Sequence, residues 1–412
     1  MKKQEFFIEE LSNGLTLIGE PIEGVSSAAF SFFIPVGAVR DPDSQAGMSN
    51  LMVEMLQKGC GGKSAKEYSD ACEQIGLQRG AGSGMEACSF SGTLLSENLI
   101  SALKLTSDML LRPDFPEHEL EPVQSLALQD LMAIEDEPAS KVMEILSANF
   151  YPAPFSRSSL GTAQGISSVT VPSMRDFFNS YFGAKGSVLA VAGKFVWKDI
   201  VASVKELFGT WKGGQDLITV PQLSDESRCV FEKKEAEQLQ IALAYPSVGV
   251  ESPEYYDARV LVNVLSGGMS GRLFIEVREK RGLVYRVSAS HSASRGRSAI
   301  IASAGTTPEN GEETLSVMLE QLRSIENGVS QEELHRAKVD LKTRVIMQSE
   351  SSSGRASALT SDWWNLKRLR TLEEIKFGIE NVTEESLIKH YKNWPVRAVT
   401  LVTLGVKPLS LN

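Results

Sequence analysis

The sequence reads as an α/β (α+β) protein built from two homologous halves. Three observations carry that reading. The chain has 412 residues, too many for one ordinary core, since domains usually run to ~100–200 residues. Strand and helix patterns alternate throughout, which indicates layered sheet and helix. Short signatures also recur in the same order in both parts of the chain.

The first half opens with strand-like residues 15–18 and 28–35, then a helical pattern over 48–57. The second half repeats that order with a strand at 239–245 and helices at 258–265 and 270–280. Gly47-Met48-Ser49 is echoed by Gly268-Met269-Ser270. Residues 115–120 and 329–334 each place a cap and acidic residues ahead of a long helical pattern, the usual start of a helix. The apolar sets Leu120, Val123, Leu126, Ala127, Leu131 and Leu334, Ala337, Leu341, Val345 follow helical spacing. Gly213, Gly214, Pro221 and short polar residues cluster between the halves, as in a linker. The domains are therefore residues 1–214 and 225–412, joined by 215–224.

Composition narrows the function. Hydrophobic residues make up 42% and charged residues 23%, as in ordinary globular proteins. The formal net charge of −10 argues against a general nucleic-acid binder, which carries a basic face. The four cysteines, Cys60, Cys72, Cys88 and Cys229, form no C-x-x-C pair or disulfide framework. Free thiols in a reducing compartment are expected, with a single bridge left open. Met1 to Glu10 has a basic start but no apolar signal-peptide core, and no run of 18 apolar residues forms a membrane span. A cytoplasmic location follows as the default, with the periplasm left open.

Two segments carry chemistry. The first runs from Val36-Gly37-Ala38-Val39-Arg40-Asp41 into Gly47-Met48-Ser49-Asn50-Leu51-Met52-Val53-Glu54-Met55-Leu56-Gln57-Lys58-Gly59. It resembles the signature of the insulinase or pitrilysin zinc metallopeptidases, especially the branch related to mitochondrial processing peptidase. In that family a helix carries an inverted H-x-x-E-H motif. The resemblance puts the first His at Asn50, the Glu base at Val53 and the second His at Glu54. Positions i, i+3 and i+4 share one helix face. The family's third ligand, a Glu on the long helix of the same half, is best matched by Asp130. Zinc prefers imidazole nitrogen or thiolate, and catalytic sites usually hold three protein ligands with one open position. Asn50 offers an amide oxygen and Val53 cannot take a proton. A metal that lowers the pKa of its water from about 15.7 to about 7 is then not expected, and the lost base costs a further ~10²–10⁴-fold. The four His residues of the chain, His118, His291, His335 and His390, form no zincin pair. An oxygen set of Asn50, Glu54 and Asp130 leaves open a hard cation such as calcium or magnesium, against a polar cluster satisfied by water.

The second segment is Gly267 to Tyr285, which includes Arg272-Leu273-Phe274-Ile275-Glu276-Val277-Arg278-Glu279-Lys280-Arg281-Gly282. It resembles the family's second signature, in which an Arg and a Tyr bind the substrate backbone and stabilise the tetrahedral intermediate. Matched by position, these are Arg278 and Tyr285. Leu273, Phe274 and Val277 form an apolar helix face. Gly282 suits a left-handed helix end. The following strand would put Tyr285, Val287 and Ala289 on one side. A guanidinium beside a phenol suits an oxyanion or peptide carbonyl. The plainer alternative is an arginine favouring a helix C-terminus and a strand tyrosine at the core rim. Arg272 and Arg281 read as structural. Glycine-rich residues 80–84 read as a turn or bulge. In active relatives the strand matching residues 87–95 is the edge to which substrate adds; Ser83-Gly84 stand where those relatives tend to have Asn-Ala.

The resemblance implies a clam-shaped fold of two homologous halves, each a mainly antiparallel sheet covered by helices, of the LuxS/processing-peptidase type. It also implies a non-catalytic subunit of a heterodimeric zinc endopeptidase. Such a subunit holds no cofactor, binds peptide or unfolded polypeptide, and contributes Arg278 and Tyr285 to a partner whose own subunit carries the zinc. A homodimer, a purely scaffolding subunit and a free-standing peptide binder are the alternatives.

Overall fold

The computed structural model describes residues 4–411; Met1-Lys2-Lys3, part of the N-terminal segment read above, lie outside them. In the first half, β1 (Phe7–Glu10), β2 (Thr16–Pro21) and β3 (Ser27–Ile34) lead into α1 (Met48–Met55). A two-strand ribbon of β4 (Gly59–Cys60) and β5 (Lys63–Ser64) precedes α2 (Ala65–Gln74). The hairpin β6 (Gln78–Ser83) and β7 (Cys88–Leu95) follows, then α3 (Leu99–Leu111), α4 (Glu117–Asp136), α5 (Pro138–Phe150), α6 (Ala163–Ser168) and α7 (Val171–Tyr181). The half closes with β8 (Val188–Gly193) and α8 (Trp197–Phe208).

The second half runs β9 (Arg228–Lys233), β10 (Leu239–Pro246), α9 (Tyr255–Ser266), a π-helix (Phe274–Glu279), β11 (Val284–Ser292) and β12 (Ala299–Thr306). It continues through α10 (Gly311–Arg323), α11 (Gln331–Ser349), α12 (Ser352–Leu366), α13 (Leu372–Glu380), α14 (Glu384–Asn393) and β13 (Thr400–Gly405). No described helix is long and apolar enough to cross a membrane.

The two sheets repeat each other strand for strand. The first has the order β1-β2-β8-β3-β7-β6 and the second β9-β13-β10-β12-β11, read from its opposite edge. Each is antiparallel except for one pair, β2 with β8 and β9 with β13. Only the first sheet has an additional outer strand, β1. Gly47-Met48-Ser49 opens α1, the first α-helix after β3, whereas Gly268-Met269-Ser270 lies beyond α9. That echo therefore does not mark equivalent positions; α1 corresponds by order to α9.

The compact units are not the sequential halves. Of the described residues, one contains 4–133, 157–219 and 348–369; the other contains 134–156, 220–347 and 370–411. Each half thus lends a helix to the other sheet. The strands encode both faces. In β10, Leu239, Ile241 and Leu243 join one core while Ala242 and Ala244 meet Val142, Leu146 and Phe150 of α5. In β8, Leu189 and Val191 face the other helices of their unit, while Ala190 and Ala192 meet Ala356 and Leu359 of α12. Alanine on that face leaves room for a helix to lie close. Both faces are covered, which is why β8 is buried at every residue.

Candidate functional site

Helix α1 starts at Gly47, whose backbone is left-handed at φ 106°. A side chain there would also meet Ile166 at 2.9 Å. The helix is capped from outside itself: Asp41 accepts hydrogen bonds from the backbone N–H of Gly47 at 2.8 Å and of Ser49 at 2.9 Å. Two of the amides left orphaned at a helix start are satisfied this way. Burial pushes the Asp41 carboxyl up to about 6, against the opposing pull of those hydrogen bonds and of Arg157. The Ser83 hydroxyl, at the end of β6, donates to Ser49 Oγ at 3.0 Å, tying α1 to that strand.

On this helix Asn50 and Glu54 are half-buried and Val53 is buried, while Asp130 is exposed on α4. No hydrogen bond or ion pair joins Asn50, Glu54 and Asp130. Among the described residues no three His, Cys, Asp or Glu side chains are grouped to hold a metal ion. Of these four side chains only the Glu54 and Asp130 carboxylates are ligands that zinc takes, two where a catalytic site has three, so the donor set does not fit zinc.

The substrate-edge expectation needs correction. Residues 88–95 form β7, which lies between β3 and β6, and the outer strand is β6. The glycines at 80 and 82 are therefore inside a paired strand, not in a turn. Glycine carries no strand signal, so this edge was hidden in the sequence.

The second segment departs from a regular helix. Residues Phe274–Glu279 form a π-helix, with the Lys280 N–H donating to Ile275 O at 2.9 Å. Gly282 ends it in the left-handed conformation, φ 63°. Strand β11 then begins with a bulge: Val284 faces Thr306 and Arg286 faces Gly305. Tyr285 is the extra residue with no partner across the ladder. Simple alternation puts Tyr285 on the side of Val287 and Ala289; the bulge instead turns it out, 81% exposed. Bulges commonly re-aim a side chain in this manner.

These two irregularities bring Arg278 and Tyr285 together. The Arg278 guanidinium lies 5.0 Å from the Tyr285 ring centroid and 4.9 Å from that of Phe274. Leu273 and Val277 are fully buried as expected, but Phe274 is half-buried and its ring meets Arg278 rather than only the core. The i, i+4 spacing from Phe274 to Arg278 was the available signal. The Arg278 guanidinium makes no hydrogen bond or ion pair among the described residues; its backbone carbonyl accepts from the Gly282 N–H at 2.9 Å. The other basic side chains from Arg272 to Arg281 are engaged. Arg272 grips Glu333 with two nitrogens, at 2.6 and 2.9 Å, and also donates to Gly328 O and Ser324 Oγ. The pair holds the Glu333 carboxyl down to about 2. Lys280 and Arg281 both bind Glu276, at 2.6 and 2.7 Å. The arrangement therefore presents the Arg278 guanidinium, free of any carboxylate, against an exposed phenol.

Comparison with known proteins places this geometry. Residues 20–163 match the family described as insulinase (peptidase family M16), and residues 168–341 match the peptidase M16 inactive domain. The chain belongs to the insulinase family of peptidase-like proteins. It is 28% identical to "uncharacterized zinc protease YmxG" of Bacillus subtilis, over 88% of this chain and 89% of that one. It is 26% identical to an "uncharacterized zinc protease" of Rickettsia felis, over 94% of each. Among solved structures, a peptidase M16 inactive domain from Pseudomonas fluorescens has a TM-score of 0.89 at 22% identity, covering 98% of this chain and all of that one. A protease from Helicobacter pylori has a TM-score of 0.88 at 19% identity, covering 98% and 99%. These two share the fold of the whole chain.

Proposed function

We propose that this chain is a non-catalytic subunit of a heterodimeric zinc endopeptidase. Its zinc position is degenerate, it binds peptide or unfolded polypeptide, and it supplies Arg278 and Tyr285 to the zinc site of a homologous partner. The observation that carries this reading is the free Arg278 guanidinium stacked against an exposed Tyr285, in a segment where Arg272, Lys280 and Arg281 are all paired. A scaffolding arginine would gain by an acceptor, as Arg272 does. An uncommitted one is poised to donate to a carbonyl oxygen or oxyanion of bound peptide, with the Tyr285 hydroxyl as a second donor.

The chemistry of α1 supports the division of labour. Hydrolysis in this family needs a metal and a base; Asn50 and Glu54 stand where its two His ligands belong, and Val53 where its base belongs. The partner would hold the zinc and the base, and this chain would orient the peptide and stabilise developing negative charge.

The test is reconstitution with a homologous subunit bearing an intact H-x-x-E-H motif. The chain alone should show no chelator-sensitive cleavage of unstructured peptides, and the mixture should cleave them. Arg278→Ala and Tyr285→Phe should each lower kcat of the mixture, by about 10²–10³-fold for a lost oxyanion donor. Unchanged turnover in both variants would favour a scaffolding subunit. Vigorous chelator-sensitive cleavage by this chain alone would reject the proposal.

A further inference from the structure

Strand β9 is the outer strand of its sheet, pairing with β13 on one side and with no strand on the other among the described residues. Five of its six residues are exposed, and Phe231 is a large apolar side chain left 38% exposed. Its counterpart in the first sheet, β2, has the same outer edge covered by β1, which pairs antiparallel from Phe7↔Gly19 to Glu10↔Thr16. An antiparallel strand in this slot is thus realised once within the chain and left open in the second copy of the fold.

We infer that β9 pairs antiparallel with β9 of a second copy of this chain across a two-fold axis, in a register centred on Val230. The backbone fixes which residues can take part. The Arg228 and Lys234 N–H groups donate inward, to Val399 O and Gly405 O. In an extended strand the amides of Cys229, Phe231 and Lys233 therefore point outward. Outward residues must oppose outward residues, which leaves two central registers.

Charge decides between them. Centring on Phe231 sets Arg228 against Lys234 of the second copy twice and buries Cys229 opposite Lys233. Centring on Val230 sets Arg228 against Glu232 twice, with Val230 on Val230 and Cys229 covering Phe231. Directly opposed unlike charges stabilise a ladder by about 0.2–1 kcal/mol each, and like charges oppose it. Neither Arg228 nor Glu232 has an ion pair within its own chain among the described residues. The cation that acts on Glu232 is Lys141, already bound to Glu135 at 2.5 Å. Charged edges normally discourage pairing; the four-residue spacing of Arg228 and Glu232 permits one self-complementary register and penalises the next. An isologous pair of this kind closes on itself and does not propagate.

The strand pair alone falls below the ~1,200 Å² of stable complexes, so the dimer should depend on concentration. Sedimentation velocity of the full chain from about 1 to about 200 µM should follow a monomer–dimer equilibrium in this weak-interface regime. Arg228→Glu should weaken association at least tenfold, and the Arg228→Glu/Glu232→Arg pair should restore it. Phe231→Cys should give a disulfide-linked dimer through Cys229 on mild oxidation, since hydrogen-bonded antiparallel pairs have Cα atoms about 5.5 Å apart. Adding Cys229→Ser should abolish that product. Circular dichroism would check that these exposed variants are folded. A monomer at every concentration, a dimer indifferent to charge reversal, or a crosslink that survives Cys229→Ser would each overturn the inference. None of these outcomes bears on the Arg278 reading, so the two fail separately.

Discussion

Asp41 sits 4% exposed at the head of α1 and holds two of its backbone amides. Its carboxyl rises from 3.8 to about 6 through burial, so the folded chain binds this proton more tightly than the unfolded chain does. The sign follows from linkage. The contribution of Asp41 to stability is fully present below about pH 4 and is lost as the pH rises through about 6. At ~1.4 kcal/mol per pH unit the change is at most about 3 kcal/mol. Urea unfolding of the native protein and of Asp41→Asn, from pH 4 to 7.5, should show the variant gaining relative to the native chain as the pH rises. Parallel pH profiles for the two proteins would rule out this role. The sequence placed Asp41 in the right segment but gave no hint of its task, because the cap is made across a loop and not by the residue adjoining the helix. Arg278 and Tyr285 were legible by resemblance. Their stacking was not, since it depends on a π-helix and a bulge that hydrophobic periodicity does not encode.

At the scale of elements, α12 depends on a buried ion pair. Arg355 Nη2 lies 2.7 Å from Glu20 Oε2 on β2, its Nε is 2.8 Å away, and both side chains are only 5% exposed. Thr360 adds a hydrogen bond to Ser31 O, and Ser352 meets Ser27. Removing one partner of such a pair strands a buried charge, at a cost of about 3–5 kcal/mol. Replacing both with apolar side chains of similar volume removes that penalty. Arg355→Met should therefore lower the unfolding free energy by that amount, and Arg355→Met/Glu20→Met should recover most of the loss. Chemical denaturation of the three proteins measures it; additive losses in the double variant would contradict the pairing. None of this was readable beforehand. Residues 351–361 are rich in Ser, and their partners lie more than 300 residues away. The strands spoke more clearly: the alternation of large residues with alanine in β8 and β10 announces two faces of different depth, once a helix is known to cover the shallower one.

The whole molecule is a duplication in which each copy completes the other. The order of strands, the position of the single parallel pair and the long helices α4 and α11 repeat; of these, the succession of strand and helix and the two long capped helices were visible as recurring patterns, while the sheet order and the parallel pair were not. Nor was the exchange of α5 and α12, because helical periodicity reveals an apolar stripe but not which sheet will receive it. It has a consequence for how the chain can be divided. Residues 1–219 on their own lack α12, leaving Ile18, Ala29, Val188, Ala190 and Ala192 uncovered on one face of the first sheet. Residues 220–412 on their own lack α5, uncovering Ala242, Ala244, Ala299, Val402 and Leu404. A sheet with a bared apolar face tends to associate, so each fragment expressed alone should be insoluble or molten. The two expressed together should be soluble and co-elute as one species on gel filtration, because α5 (with Val142, Leu146 and Phe150) and α12 (with Ala356 and Leu359) bury their apolar faces across the break. Burying one leucine-sized side chain contributes roughly 1.5–3 kcal/mol, and several act together here. Fragments that are each folded and monomeric, and that elute apart when mixed, would mean that the exchanged helices cover these sheets without stabilising them.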